Sequence, residues 1–175
     1  MKQSKWVLDT HHSELQFKIK HLMISNVTGS FNVINAAVES NDDNFAHASV
    51  SFTADASSID TGNQQRDEHL KAADFFDTSH FPTIKFDAKD FDSSTGKING
   101  DLTIRNVTKP ASFEIEFNGV NKDPWGNEKA GFSLSGKINR KDWGLSWNAA
   151  LETGGVMLSE DVKINAEVQL VKQAA

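Results

Sequence analysis

The side chains best suited to chemistry in this sequence are imidazoles and carboxylates, which serve as metal ligands and as acid–base groups. The candidates are His11, His12, His21, His69, His80, Asp67, Asp74 and Asp77. No two histidines have the H-x-x-x-H spacing that brings two ligands onto one helical face. His11 and His12 are adjacent, so in a strand they would point to opposite faces. We therefore expect no metal site and no cofactor, and interpret these histidines first as hydrogen-bonding and capping residues in loops.

The segment GFSLSG at 131–136 has a weak similarity to a serine nucleophile elbow. The motif G-x-S-x-G requires glycine at position 135, where this chain has serine, and a helix after the strand. The absence of cysteine excludes a thiolate nucleophile, a disulfide and cysteine-ligated zinc. The 24 Asp and Glu residues make some carboxylate pair inevitable, so such a pair carries no information. Nucleophilic catalysis is therefore not indicated.

Composition and charge restrict the partners of this chain. Its 175 residues, 38% hydrophobic and 24% charged, are typical of one globular domain spanning 1–175. A formal net charge of −6 is a poor match for phosphate backbones, so we expect no nucleic acid partner. No run approaches about 18 apolar residues, so we expect no membrane span. No apolar run follows the first lysines, which predicts a cytoplasmic protein as written, or a periplasmic one if a leader preceded this sequence.

Alternation of polar and apolar residues with a period of two dominates the chain. Leu15, Phe17 and Ile19 begin the pattern, and similar runs follow at 27–40, 50–54, 84–88, 102–104, 113–117, 132–138 and 162–170. One wet and one dry face is typical of antiparallel sheets. An open up-and-down sheet would leave free edges, which favours an all-β fold built as an eight-stranded antiparallel barrel. A sandwich stays open as an alternative because periodicity does not distinguish two packed sheets from one closed sheet.

Residues 58–82 form the longest interruption of this alternation. Leu70, Ala73 and Phe76 lie on one helical stripe, and Thr61 or Asn63 can cap the start of a helix. A structureless loop of this length is unusual in a compact domain, so we predict one or two short helices at about 60–80. A second irregular segment, at 139–161, precedes the last strand and carries two tryptophans.

The aromatic composition, with 12 Phe, 4 Trp and no Tyr, bears on what fills the barrel. A small eight-stranded barrel either fills its interior with side chains or holds one apolar ligand. The residues alone favour a filled core. If the interior were hollow, each buried methylene would contribute about 0.8 kcal/mol, so about ten carbons would give roughly micromolar binding of a lipid tail.

Short motifs follow one another along nearly the whole chain. The first are W-x-L-D-x-x-H-S at 6–13, H-L at 21–22 and G-x-F at 29–31. S-I-D-T-G-N-x-x-R-D-x-H-L at 58–70, D-F-F-D at 74–77 and F-P-x-I-x-F at 81–86 come next, then G-D-L-T-I-R at 100–105 and N-R-x-D-W-G-L at 139–145. Together they closely resemble the YceI-like family of lipocalin-like polyisoprenoid-binding proteins. The departures are modest: Asn106 stands where the family usually has glycine, and Trp143 replaces a common phenylalanine.

This resemblance implies a lipocalin-like barrel that encloses a lipid, and it reverses the preference for a filled core. The implied function is non-enzymatic binding, carriage or sequestration of a long-chain isoprenoid, a quinone precursor or a fatty-acid-like amphiphile in a hydrophobic tunnel. Transport and stress-response roles occur in the family, and a homodimer is implied by analogy alone. The alternative is an enzyme that acts on such a lipid with His and Asp residues at the tunnel mouth.

The resemblance and the strand parity together select the residues of this predicted tunnel. Its wall is predicted to contain Phe17, Ile19, Phe31, Phe52, Phe75, Phe76, Phe86, Ile104, Phe113, Phe132, Trp143 and Trp147. Its polar end is predicted to contain His21, Arg66, Asp67, His69, Asp74 and Arg140. An equally open interpretation is that Arg66, Asp67 and Asp74 form a buried network that holds the long connection to the barrel.

Overall fold

The computed structural model describes residues 3–22, 24–147 and 158–174. Within these ranges, eleven strands form one antiparallel sheet. The strands are β1 (Ser4–Leu8), β2 (Glu14–His21), β3 (Ser25–Phe31), β4 (Ile34–Ser40), β5 (Ala48–Asp55), β6 (Ile59–Asp60), β7 (Thr83–Phe91), β8 (Lys97–Ile104), β9 (Val107–Lys122), β10 (Glu128–Asn139) and β11 (Asp161–Lys172). One α-helix, α1 (Gln64–Lys71), lies in the connection between β6 and β7.

The sheet closes on itself because the last strand pairs with the first two. β11 pairs with β1 near its C-terminal end, with Leu8 opposite Leu170, and with β2 near its N-terminal end, with Lys18 opposite Lys163. β1 and β2 therefore lie end to end as one barrel strand, and β4 and β3, which pair with them, form the next. With β5, β7, β8, β9, β10 and β11 these make the eight antiparallel barrel strands, which confirms the predicted fold.

The strand β1 was not predicted from the alternating pattern. It contributes two inward side chains, Trp6, with no exposed surface, and Leu8, separated by the partly exposed Val7. Two apolar residues are too short a run for a period-two signal. The 3₁₀ turn Thr10–His12, capped by the Asp9 carboxylate, then separates β1 from β2.

The end of the barrel beside β1, here called the closed end, is filled with aromatic rings. The connection between β4 and β5 places Phe45, fully buried, against Trp6 with 5.2 Å between ring centroids. Phe45 also packs edge-to-face on Phe132 at 5.1 Å and on Phe117 at 5.4 Å. Such offset and edge-to-face arrangements are the favoured geometries of aromatic pairs. The closed end is therefore a packed core.

The opposite end, here called the mouth, carries the long connection between β6 and β7. Asn63 caps α1 by accepting a hydrogen bond from the backbone N–H of Arg66, which confirms it as the capping candidate. The helix ends at Lys71, so the predicted helical stripe through Ala73 and Phe76 is wrong. Consecutive turns follow instead, and they leave Ala73 exposed.

Gly29 on β3 is required by a close approach inside the barrel. It lies opposite Phe17 on β2, and a Cβ at this position would come within 2.7 Å of Phe17 Cε1 and 2.9 Å of Thr61 Cγ2. Glycine therefore lets the Phe17 ring lie across the neighbouring strand. Gly131 on β10 is different, because its nearest atom would be Asn118 Cβ at 3.6 Å, an ordinary contact.

We predict opposite effects of alanine at these two glycines. Gly29→Ala displaces the Phe17 ring and should lower the free energy of unfolding by about 1–3 kcal/mol. Gly131→Ala meets no clash and should be neutral or stabilising by up to about 1 kcal/mol. Urea denaturation of both variants measures the difference, and equal stabilities would contradict the assignment of Phe17 to the interior beside Gly29.

An ion-pair cluster stabilises the joint between β1 and β2. The Asp9 carboxylate, 10% exposed, receives hydrogen bonds from Lys129 Nζ at 2.5 Å and from His12 Nδ1 at 2.8 Å. The backbone N–H of His11 donates to its other oxygen at 3.1 Å. Burial alone raises the pKa of Asp9, but these hydrogen bonds and the charge of Lys129 outweigh burial and lower the pKa to about 2.

This lowered pKa makes the Asp9 contribution depend on pH. Because the folded-state pKa lies below the ordinary value of 3.8, the stabilisation is fully present above about pH 4 and is lost as the pH falls towards 2. The pKa change corresponds to about 2 kcal/mol, which solvent screening reduces to about 1 kcal/mol. Asp9→Asn should therefore lose about 1 kcal/mol at pH 7, and less below pH 4, in urea denaturation. The control Asp161→Asn, at an exposed pair with Lys137, should change stability by less than about 0.5 kcal/mol.

Candidate functional site

The barrel encloses an apolar cavity of about 340 Å³. All eight barrel strands contribute side chains to its wall, as do α1 and the turns that follow the helix. The wall extends from Phe45 at the closed end to His69 at the mouth. The interior of this barrel is therefore hollow beyond the packed closed end.

Most of the sequence-predicted wall residues lie on this cavity. They are Phe17, Ile19, Phe31, Phe52, Phe75, Phe76, Phe86, Ile104, Phe113, Phe132 and Trp147. Alternation places the strand members inside, since successive residues of a strand point to opposite faces. The same parity could have identified further wall residues, such as Leu134, Ile164 and Val168. Contact of any of these residues with a ligand stays a prediction.

Trp143 does not line the cavity. Its ring is 3% exposed in the turn after β10, and its Nε1–H donates to the backbone carbonyl of Leu102 at 2.8 Å. This indole hydrogen bond holds the 3₁₀ turn Arg140–Trp143 against β8. Trp143 packs behind the wall, so its predicted place in the tunnel lining is wrong.

Four of the six residues predicted at the polar end lie on the cavity wall. They are His21, Arg66, His69 and Arg140. Asp67 and Asp74 are not part of the wall, although each bonds to a residue that is. Thr61 and Gln16 also line the cavity, and nothing in the sequence singled them out for this.

Asp67 and Arg66 hold Thr61 from two sides. Asp67 Oδ1 accepts hydrogen bonds from the Thr61 N–H at 3.0 Å and from the Thr61 hydroxyl at 2.5 Å. Arg66 donates from Nε to Thr61 Oγ1 and from Nη2 to the Thr61 carbonyl, both at 2.7 Å. The network therefore ties the start of α1 to the segment just before it. Asp67 and Arg66 therefore have the predicted anchoring role. These bonds join two parts of the connection to each other and do not join the connection to a barrel strand.

His69 forms part of an aromatic cluster at the mouth. Its ring makes edge-to-face contacts with Phe75 and Trp147, both at 5.1 Å between centroids, and Phe75 also contacts Trp147 at 5.4 Å. Its Nε2 is 3.1 Å from Asp74 Oδ2. The Asp74 side chain is 57% exposed and is not part of the cavity wall. His69 therefore presents a ring to the cavity while its polar edge is paired outside.

Arg140 is buried at the same end of the cavity. Its Nε donates to the Ser159 carbonyl at 2.9 Å, and its Nη1 donates to the carbonyls of Leu145 at 2.5 Å and Trp147 at 2.8 Å. Its Nη2 has no acceptor among the residues that the structure describes. Burial lowers the pKa of Arg140, and the charge of Glu160 partly offsets this. The guanidinium keeps its charge because its ordinary pKa is so high.

Catalytic and metal chemistry have little support in the described geometry. No group of three or more His, Cys, Asp or Glu residues within the described ranges could hold a metal ion. Among the described wall residues, Thr61 supplies the hydroxyl group, and this hydroxyl is engaged by Asp67 and Arg66. Ser133, in the segment that weakly resembles a nucleophile elbow, instead donates to Glu167 Oε2 at 2.8 Å.

A closed antiparallel barrel with an apolar interior, packed at one end and bordered by polar groups at the other, defines a lipocalin-like β-barrel protein. Comparison with known proteins identifies the family. A sequence profile of the YceI-like domain matches residues 6–170. The chain therefore belongs to the YceI-like family.

Individual relatives agree with this assignment. The chain is 44% identical over 167 residues to UPF0312 protein SA2479 of Staphylococcus aureus (strain N315), covering 95% of this chain and 96% of that protein. Among solved structures, it is similar to the Campylobacter jejuni YCEI protein, with 35% identity, a TM-score of 0.73, and coverage of 90% of this chain and 91% of that one. A polyisoprenoid binding domain from Saccharophagus degradans shares the fold at 14% identity, with a TM-score of 0.73 and coverage of 96% and 98%.

Among the described residues, no helix has the length and apolar character needed to cross a membrane.

We predict that Asp67 stabilises the connection at the mouth more than its neighbour on α1. Asp67→Ala leaves the Thr61 N–H and hydroxyl without their acceptor and should cost about 1–3 kcal/mol. Glu68→Ala removes only an exposed 3.5 Å pair with Lys71 and should cost less than about 0.5 kcal/mol. Urea denaturation with amide hydrogen exchange over 60–71 measures both effects. A smaller loss in Asp67→Ala than in Glu68→Ala would contradict the anchoring role.

Proposed function

We propose that this protein binds a long-chain amphiphile without changing it chemically, with the apolar tail in the barrel and the polar group at the mouth. This proposal rests on the cavity, because its wall is apolar from Phe45 up to the polar residues at the mouth. Such a cavity takes a tail out of water and leaves the head at the boundary with solvent. Carriage or sequestration follows from this arrangement.

The size of the cavity restricts the ligand. Small-molecule sites have volumes of about 300–1,000 Å³. A cavity of about 340 Å³ is at the lower end of that range, which favours a narrow single chain over a bulky ring system. Each methylene transferred from water contributes about 0.8 kcal/mol, so a tail of about ten carbons suffices for micromolar binding before specific contacts are added.

The relatives support the same ligand class. The structural neighbour from Saccharophagus degradans is described as a polyisoprenoid binding domain, and its barrel covers nearly the whole of this chain. A shared fold does not establish a shared ligand. The apolar interior of this chain is the independent argument that extends lipid binding to it, with an isoprenoid, quinone precursor or fatty-acid-like tail as the candidates.

Enzymatic action on such a lipid is the second candidate, because the His69–Asp74 pair at 3.1 Å resembles an acid–base dyad. Two features of the site count against it. Asp74 is exposed and is not part of the cavity wall. The hydroxyl of Thr61, a residue of the cavity wall, is already bonded to Asp67 and Arg66. The binding function therefore agrees better with the described geometry.

The proposal predicts that lipid is recovered unchanged from the protein. Organic extraction of purified protein, followed by mass spectrometry, should release a long-chain amphiphile, and protein incubated with an added lipid should return that lipid intact. Recovery of a modified product would favour the enzyme. If no lipid is extracted and none of the added lipids is retained, the proposed function is wrong.

A matched pair of variants tests whether the cavity is the binding site. Ala166→Phe places a ring on the inner wall of β11, where Ala166 is buried. Displacing about four methylenes should weaken binding of a long tail by about two orders of magnitude. Asn165→Phe adds the same ring to the exposed outer face of the same strand and should leave affinity unchanged.

A further inference from the structure

The described part of the cavity wall contains basic residues and no acidic ones. Every ionisable residue of its described part is basic: His21, Arg66, His69 and Arg140. This contrasts with the whole chain, whose formal net charge is −6. Clefts lined by one sign of charge and by low-dielectric walls concentrate the electrostatic potential. The described wall of this acidic protein therefore contains two arginine cations and no carboxylate.

These basic groups lie together at the mouth. Arg140 Nη1 donates to the carbonyl of Trp147, and the ring of Trp147 contacts the ring of His69. Arg66 precedes His69 by three residues on α1, a spacing that places both side chains on one helical face. His21 joins them because it forms an isolated β-bridge with Leu158, which immediately precedes Ser159, an acceptor of Arg140.

Neither arginine forms an ion pair with a carboxylate of the described residues. No Asp or Glu oxygen among the described residues lies within 4 Å of either guanidinium. Arg66 uses Nε and Nη2 on Thr61, and its Nη1 has no acceptor among the residues that the structure describes. Arg140 is 3% exposed, and its described partners are neutral carbonyls. The charge of Glu160 acts on Arg140 without an ion pair between the two side chains, and an anion held near the buried guanidinium would offset more of the cost of burial.

The neighbouring acids are engaged by other side chains and lie outside the cavity wall. Asp67 bonds to Thr61 and Asp74 bonds to His69, and neither is part of the wall. An anionic group held at the described wall would therefore contact basic side chains and no carboxylate of that wall. Its tail would enter the apolar barrel directly behind them.

We infer that the mouth selects an amphiphile with an anionic headgroup, a carboxylate or a phosphate on a single apolar chain, which Arg66 binds directly and the buried charge of Arg140 attracts. This inference rests on the proposed lipid-binding function and specifies the headgroup. Arg66 is the contact residue because its guanidinium lies at the rim with Nη1 available, a geometry suited to carboxylate or phosphate oxygens.

The test compares ligands that share a tail and differ in the head. Hexadecanoate and hexadecan-1-ol are titrated separately into the delipidated protein, with displacement of a fluorescent lipid probe as the readout. Hexadecanoate should bind at least about tenfold more tightly at low salt, and the ratio should fall as salt is added. Equal affinities, or tighter binding of the alcohol, would overturn the headgroup inference while leaving the proposed function intact. Binding of neither ligand would count against the proposed function itself.

Two arginine variants locate the effect. Arg66→Gln should reduce the acid-to-alcohol affinity ratio at least about fivefold, because it removes a charge-assisted contact. Arg105→Gln is the control: Arg105 is at the same end of the barrel but lies over the Phe81 ring and is not part of the wall. It should leave the ratio unchanged. Equal reductions in both variants would show a general effect of surface charge and overturn the role of Arg66.

A third ligand distinguishes the two headgroup chemistries. Hexadecyl phosphate has the same tail and carries more negative charge than the carboxylate. If it binds more tightly than hexadecanoate, a phosphorylated lipid is the ligand class, and the reverse order assigns a fatty acid. Binding of both anions more weakly than the alcohol would contradict the inference.

Discussion

Pairing of β11 with both β1 and β2 is the interaction on which the rest of the structure depends, because it closes the sheet. Closure removes the free edges of the sheet and separates a dry inner face from a wet outer face. β11 is longer than either partner and pairs with both pieces of the first barrel strand. Asp9 caps the turn between them, pairs with Lys129 on β10, and donates its backbone N–H to Gln169 on β11. The ion-pair cluster thus stabilises the joint that closure requires.

Differences in side-chain size along the barrel decide where it is filled and where it is hollow. At the closed end, Trp6 and Phe45 meet other rings and pack without solvent exposure. Further along, small residues such as Ala36 and Ala166 line the wall. The same closure therefore produces a packed core at one end, which stabilises the fold, and a cavity beyond it, which provides the binding function we propose.

The charged segment at the mouth, within residues 58–82, has two roles to fill: holding the connection in place and, as we propose, selecting a ligand. Asp67 and part of Arg66 hold Thr61, so the connection is stabilised mainly by its own hydrogen bonds. His69 and Arg140 lie on the cavity wall, on either side of Trp147. Anchoring and ligand selection were alternatives for these residues in the sequence. In the structure Asp67 and Arg66 hold Thr61, and the ligand selection that we propose would fall to the wall residues, Arg66 among them.

The sequence by itself determined an antiparallel all-β protein and the buried face of most strands, and it narrowed the cap of α1 to Thr61 or Asn63, because alternation and capping depend on residues only a few positions apart. The short strand β1 and the end of α1 at Lys71 were missed, since the pairing of β1 with β11 and the turns after α1 override weak local patterns. Trp143 was wrongly predicted in the tunnel wall. Its hydrogen bond to Leu102 could not be recognised from local sequence, because the two residues are 41 positions apart in the chain. Only the tertiary structure decided that the interior is hollow and that its ionisable groups are basic. A cavity depends on the summed volumes of side chains from all eight barrel strands, and its charge depends on which residues of distant loops face inward.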